Sequence, residues 1–196
     1  MGRIKLIVCF MSLVLLSSCA HKNYVLEKEK VVPFKEFSKV TNFVDTPQIL
    51  SLQLVDAREN KDMLGMAKTG VSYTSTPLIT PEGASVYLKA YFENALTQRG
   101  LEITDLAESE LEIVINTLWV DELQEKFKGE RAKCNVEIDV FAKKGLNSFK
   151  GSYWTKITSA GGLGDGTDQL APTLASCLNE VVEKIVADQK LVSFIK

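Results

Sequence analysis

The chain has 196 residues, 45% of them hydrophobic and 24% charged, with a formal net charge of −2, a composition that suits one globular domain with a single core. The mildly acidic balance and the lack of a basic run exclude nucleic acid as the expected partner. The one histidine is His21, so Ser-His-Asp and Cys-His arrangements have no base beyond it, zinc loses its usual nitrogen ligand, and no metal is expected.

In chain order, the first element is a targeting segment. Arg3 and Lys5 form a short basic region, residues 4–16 are apolar apart from Lys5 and Ser12, and the small pair Ser17-Ser18 follows. This is a secretory signal pattern, shorter than the ~20 apolar residues that a membrane span requires. Leu16-Ser17-Ser18-Cys19 resembles a bacterial lipobox. The resemblance implies cleavage before Cys19, a diacylglycerol on its thiol and an acyl chain on the new amino group, with no other cofactor. Two or more acyl chains anchor a protein stably. In Gram-negative lipoproteins an Asp after the cysteine favours inner-membrane retention; Ala20 stands here, which implies the outer membrane, with the domain facing the periplasm. Cleavage would remove Arg3 and Lys5 but no acidic residue, moving the net charge from −2 to −4. The expected division is therefore a signal peptide (1–18), a lipidated N terminus and tether (19–48), and a globular domain (49–196).

Within residues 20–48 the alternating Glu27-Lys28-Glu29-Lys30 reads as a solvated face, with one edge strand expected near 31–34. Alternation from Ile49 predicts a strand over 49–55, and a second short strand is expected over 70–76. The first helix is bracketed by Thr80 as N-cap, Pro81 at its first position and Gly100 at its end, with Leu88, Tyr91, Phe92, Ala95 and Leu96 on one stripe. Strands are then predicted at 101–104, 110–121, 131–143 and 148–159, the last three as an antiparallel meander turning at Lys128-Gly129 and at Gly145-Leu146-Asn147. A second helix is expected over 172–188, followed by an apolar tail at 191–195. The order β-β-α-β-β-β-β-α predicts an α+β fold: one mostly antiparallel sheet with two helices on one face.

Three short matches, Asp56-Ala57-Arg58 after a strand, Gln98-Arg99-Gly100 closing a helix, and Phe194-Ile195 near the C terminus, resemble the YajG-type family of bacterial lipoproteins over residues 49–196. The resemblance implies this fold and an outer-membrane location. It brings no activity that can be carried across to particular residues.

The glycine-rich Ala160-Gly-Gly-Leu-Gly-Asp-Gly166 lacks the lysine of a phosphate loop and follows a meander instead of opening a βαβ unit. Its Asp comes one place early for a calcium-binding repeat, and it stands in a single copy. It reads as a connection. Glu137 and Asp139 stand two apart on one strand face, as glycosidase carboxylates do, but among Lys133, Asn135 and Lys143 on a polar face.

Cys9 leaves with the signal, so Cys134 and Cys177 remain as thiols in an oxidising compartment. Cys134 shares an apolar strand face with Val136, Ile138, Val140 and Ala142, and Cys177 shares a helical stripe with Leu174, Leu178, Val181 and Ile185. Both point toward the core, and either a strand-to-helix disulfide or two separate inert thiols satisfies that pattern.

Phe141 and Trp154 belong to the polar phase of their strands. A turn centred between Gly145 and Leu146 sets Phe141 opposite Lys150 and Trp154 opposite Glu137, giving a helix-free face with aromatics among charges as a partner surface. The function expected is a non-catalytic, lipid-anchored accessory module that binds a protein or peptidoglycan in an envelope assembly. The alternatives are a carboxylate-dependent envelope hydrolase and a lipid-carrying transport auxiliary, the latter requiring an apolar cavity between helices and sheet.

Overall fold

The computed structural model describes residues 24–25, 48–69, 74–125, 129–159 and 166–196. Eight strands occur among them: β1 (Tyr24–Val25), β2 (Gln48–Asp56), β3 (Gly65–Thr69), β4 (Thr74–Ile79), β5 (Leu101–Ile103), β6 (Ser109–Glu125), β7 (Gly129–Lys144) and β8 (Asn147–Thr158). Helix α1 (Ala84–Thr97) lies between β4 and β5, while α2 (Leu170–Ala187) and α3 (Gln189–Ile195) follow β8. A 3-10 turn, Gly166–Gln169, leads into α2.

The strands form one sheet organised around β6. Along one edge β6 pairs antiparallel with β7 over its whole length, and β7 pairs in turn with β8. Along its other edge β6 is shared: its first half pairs with β2 and its second half with β3, both parallel. β3 pairs antiparallel with β4, β4 parallel with β1, and β2 parallel with β5. The α+β expectation holds, with antiparallel pairing dominant and helices packed on the sheet.

One β-bulge decides which residues face the helices. The β6–β7 register shifts between Ile115 and Thr117, where β2 leaves the sheet and Ala57 N–H donates to Ile115 O (3.0 Å). The extra residue reverses the side-chain phase. Before it Leu111, Ile113 and Ile115 are buried; after it Leu118 and Val120 are. These join Leu50, Leu52, Val136, Ile138 and Val140 from the sheet and Leu88, Phe92, Leu174, Leu178, Val181 and Ile185 from the helices in one hydrophobic core.

Several sequence boundaries shift. Thr80 does not cap α1: Gly83 N–H donates to Thr80 O (3.1 Å) in a turn, and Gly83 itself, at φ 87°, is the cap residue. Gly100 ends the helix at φ 89° as expected. Of the strand expected over 70–76, the part from Thr74 belongs to β4, and β3 at Gly65–Thr69 lies before it; residues 70–73 lie outside the described residues, as do the strand expected at 31–34, Lys128, residues 160–165 and the whole signal segment. β3 has too little alternation to stand out in the sequence, and Pro77 obscured β4. The apolar tail is helix α3. Its N-cap is Asp188, whose carboxylate accepts from Lys190 N–H (2.8 Å) and Leu191 N–H (3.4 Å) and also from the Tyr153 hydroxyl (2.8 Å).

Candidate functional site: the helix-free face of the sheet

The side chains of β6, β7 and β8 that point away from the helices form cross-strand rows. The observed register sets Phe141 beside Lys150 and Glu137 beside Trp154, the pairing that the Gly145 turn predicts; Gly145 lies at φ 59°. From the chain ends of β6 and β8 inward, the rows are Glu110-Lys143-Ser148, Glu112-Phe141-Lys150, Val114-Asp139-Ser152, Thr117-Glu137-Trp154 and Trp119-Asn135-Lys156.

Each aromatic has a polar partner. The Lys150 Nζ stands 5.0 Å from the Phe141 ring centroid and 3.6 Å from Asp139 Oδ2. Trp154 is 66% exposed, and Lys184 of α2 reaches round the edge of β8 to place its Nζ 5.3 Å from the Trp154 ring. The same ammonium donates to Trp154 O (2.8 Å) and Thr155 Oγ1 (2.7 Å) and pairs with Glu180 (2.9 Å). Such cation–ring contacts contribute about 0.5–1 kcal/mol each when exposed. Their larger effect is to hold the rings in place. Phe141 and Trp154 do not form one patch. Four residues of β7 separate their rows, about 13 Å at ~3.3 Å per residue, and the Asp139-Ser152 row lies between.

A third aromatic on this face, Trp119, escaped the sequence reading. Counted in twos from Leu111, residue 119 falls on the buried side; the bulge turns it outward. It is half-buried, and its indole N–H donates to Asp121 Oδ1. A short-range signal was available in retrospect: Ile115-Asn116-Thr117 breaks an otherwise regular alternation.

Glu137 and Asp139 lie in the outward rows of the sheet. Asp139 accepts from the Ser152 hydroxyl, and this bond, with Asn116 and Lys150, holds its carboxyl below the ordinary carboxylate range. A general acid would require the opposite shift. Neither of two surface hollows is lined by Glu137 or Asp139. The larger, about 550 Å³, is lined by Glu110 and Glu112 on one side and by Phe141, Lys143, Ser148 and Lys150 on the other, with Ala142 and Phe149 beneath. Its acidic and basic walls flank an aromatic. Among the described residues no group of three or more His, Cys, Asp or Glu side chains is placed to hold a metal, and no helix is long and apolar enough to cross a membrane.

The remaining sequence candidates divide. Cys19 lies outside the described residues. Cys134 and Cys177 are thiols, both fully buried, on the facing sides of β7 and α2: Glu180, three residues after Cys177, accepts from Thr155 Oγ1 (2.7 Å), and Thr155 stands two residues from Ile157, the β8 partner of Cys134. Burial, the nearby Cys177 and Asp121 push the Cys134 thiol well above its ordinary range.

The three short motifs turn out to be fastenings. Arg58, 5% exposed, grips Asp56 bidentately (Nε–Oδ1 2.8 Å, Nη2–Oδ2 2.7 Å) and donates to Met63 O (2.8 Å) and Lys61 O (3.2 Å), closing the loop between β2 and β3. Arg99 donates to Ala95 O (2.7 Å) at the end of α1 and pairs with Glu183 of α2. Phe194 packs on Phe149, with ring centroids 6.1 Å apart, and Ile195 is buried.

Residues 37–196 match the Lipoprotein_16 family, described as uncharacterized lipoprotein. Among solved structures the chain is similar to a Xanthomonas campestris protein of the DUF330 family, with a TM-score of 0.52 at 10% identity, covering 76% of this chain and 86% of that one. Weaker similarities are to a minor lipoprotein from Acinetobacter baumannii (TM-score 0.43, 9% identity, 75% and 92% covered) and to rare lipoprotein B from Shewanella oneidensis (TM-score 0.39, 11% identity, 74% and 98% covered). At these identities the first concerns the fold alone. No curated protein matches the chain. With its motifs accounted for as fold-holding contacts, and a family match running from residue 37 to the last residue, the chain belongs to this family of bacterial lipoproteins.

Proposed function

We propose that the chain is a lipid-anchored, non-catalytic docking module of the cell envelope, attached at Cys19 to the outer membrane and facing the periplasm, and that the outward face of β6–β8 binds its partner. The observation that carries this reading is the helix-free sheet face. It holds Trp154, Phe141 and Trp119 on rigid strands, each ring beside a charged group, next to a hollow with walls of opposite charge. Aromatics on a rigid scaffold are the usual anchors of protein interfaces. The opposed walls suit a polypeptide or the peptide part of peptidoglycan, which carry both signs of charge.

Attachment at Cys19 would hold the domain close to the bilayer. Tyr24 is already paired with β4, so from Cys19 the chain reaches at most ~18 Å before it enters the sheet, at ~3.3–3.6 Å per residue. The hydrolase reading has less support: Asp139 is tied to Ser152 and Lys150, and Glu137 and Asp139 line neither of the two hollows described.

Two experiments test the proposal. Phe141→Ala with Trp154→Ala should cost about 1–2 kcal/mol of stability, the two cation–ring contacts together, and leave the domain folded, while reducing recovery of the partner cross-linked in intact cells. Undiminished recovery of the same partner would rule out this face. Metabolic labelling with a fatty acid should mark the wild-type chain and leave Cys19→Ser unmarked; label persisting in the variant would contradict attachment at Cys19.

A further inference from the structure

Cys134 and Cys177 are 43 positions apart in the sequence and meet in the core. Cys134 sits on the helix-facing side of β7, between Val120 of β6 and Ile157 of β8. Cys177 lies on the buried stripe of α2 with Leu174, Leu178 and Val181, and both side chains are 0% exposed. The fold thus sets both non-terminal cysteines where α2 packs on the sheet: Thr155 Oγ1 donates to Glu180 (2.7 Å), three residues beyond Cys177, and Thr155 lies two residues from Ile157, the partner of Cys134. A disulfide needs sulfurs ~2.05 Å apart on β-carbons ~3.5–4.5 Å apart. Two buried side chains that face each other across a helix–sheet contact approach that geometry by rotation about their side-chain torsions.

Neither thiol is suited to catalysis. No lysine, arginine or histidine pairs with either among the described contacts, and the folded core closes them off from any substrate.

We propose that Cys134 and Cys177 form a disulfide in the mature protein, made while the chain folds, by exchange with a disulfide-bearing thiol oxidant of the envelope. One cysteine thiolate attacks the oxidant's disulfide and forms a mixed disulfide. The second thiolate then attacks the cysteine sulfur of that mixed bond, and the oxidant leaves as a dithiol. One S–S bond breaks and one forms. Two electrons pass from the cysteine pair to the oxidant, and the two protons lost by Cys134 and Cys177 are balanced by the two that its sulfurs acquire. The bond would tie α2 to the centre of the sheet and enclose β8 and the glycine-rich segment 160–166 in one covalent loop. It rests on the envelope reading above for the supply of oxidant.

The test uses the full chain, expressed with its signal segment and purified from the bacterium. Alkylation in denaturant without reductant, followed by intact-mass measurement, should find both Cys134 and Cys177 unlabelled, and prior reduction should expose both. Reduction should also lower the melting temperature by several degrees, because the cross-link restricts the unfolded chain. Cys177→Ser should leave Cys134 open to alkylation without reductant. Two free thiols in protein that carries the fatty-acid label would overturn the proposal. If the label is absent and the thiols are free, the location has failed. The same protein, reduced, unfolded and refolded in a glutathione redox buffer, then decides the pairing: thiols that stay free there overturn it, and an intramolecular disulfide upholds it.

Discussion

Arg58→Ala should be among the most destabilising single substitutions in the molecule, costing about 3–5 kcal/mol, the range for breaking a buried ion pair from one side. The guanidinium holds Asp56 and the carbonyls of Lys61 and Met63 together. Truncation leaves the Asp56 carboxylate, 5% exposed, with the Ser85 hydroxyl at 3.0 Å as its remaining side-chain donor, and leaves the loop carbonyls without their donor. Arg58→Lys should recover only part of the loss, because an ammonium cannot reproduce the bidentate fork. Urea unfolding is the measurement, and a loss under 1 kcal/mol for Arg58→Ala would refute this account of the loop.

The same pair predicts a pH dependence. Burial raises the Asp56 pKa, but the hydrogen bond and charge of Arg58, with Ser85, outweigh it and leave the carboxyl below its ordinary 3.8. A lowered carboxylate contributes stability that is fully present above pH 3.8 and is lost as the pH falls through the lowered value. The wild-type chain should therefore lose stability in that acid window, and Arg58→Ala, which has already lost the pair, should show a shallower decline there.

Gly65→Ala should be of comparable severity for a different reason. A Cβ at residue 65 would lie 1.8 Å from Val120 O and 2.7 Å from Val120 C. These are backbone atoms of the neighbouring strand and cannot rotate away. Either β3 parts from β6, losing the Val120 N–H bond to Leu64 O (2.9 Å), or the fully buried Leu64 shifts in the core. Overpacking of this kind costs about 1–3 kcal/mol and more where backbone must move; the upper end is expected. Gly83→Ala is the contrasting control. Gly83 has open space around it but φ +87°, so the cost should be about 1 kcal/mol of left-handed strain. Limited proteolysis should cut Gly65→Ala within 57–79 before the rest of the domain; equal resistance of parent and variant would show that the contact is tolerated.

These residues show how much of the molecule could be read from its sequence. Side-chain alternation is a property of a single strand, so the meander β6–β8, the outward phase of Phe141 and Trp154, and the helical stripe of Cys177 were legible from local pattern. The hairpin register was legible too, because a glycine in left-handed backbone conformation pins the turn and every cross-strand pair follows by counting. Asp56-Ala57-Arg58 and Gln98-Arg99-Gly100 were visible as matches, but not as clamps. Their partners are a loop's carbonyls in one case and Glu183, in another helix, in the other.

What the sequence by itself determined is the resemblance to bacterial lipoproteins, the α+β class and the two-faced character of the long strands. Only the tertiary structure decided that β2 and β3 share one edge of β6 in parallel, that a bulge where β2 leaves turns Trp119 outward, and that Cys134 and Cys177 meet. The reason is physical. Periodicity fixes which way a side chain points within its own element, whereas pairing between distant segments is chosen by packing of the whole core against the entropy of closing the loops between them.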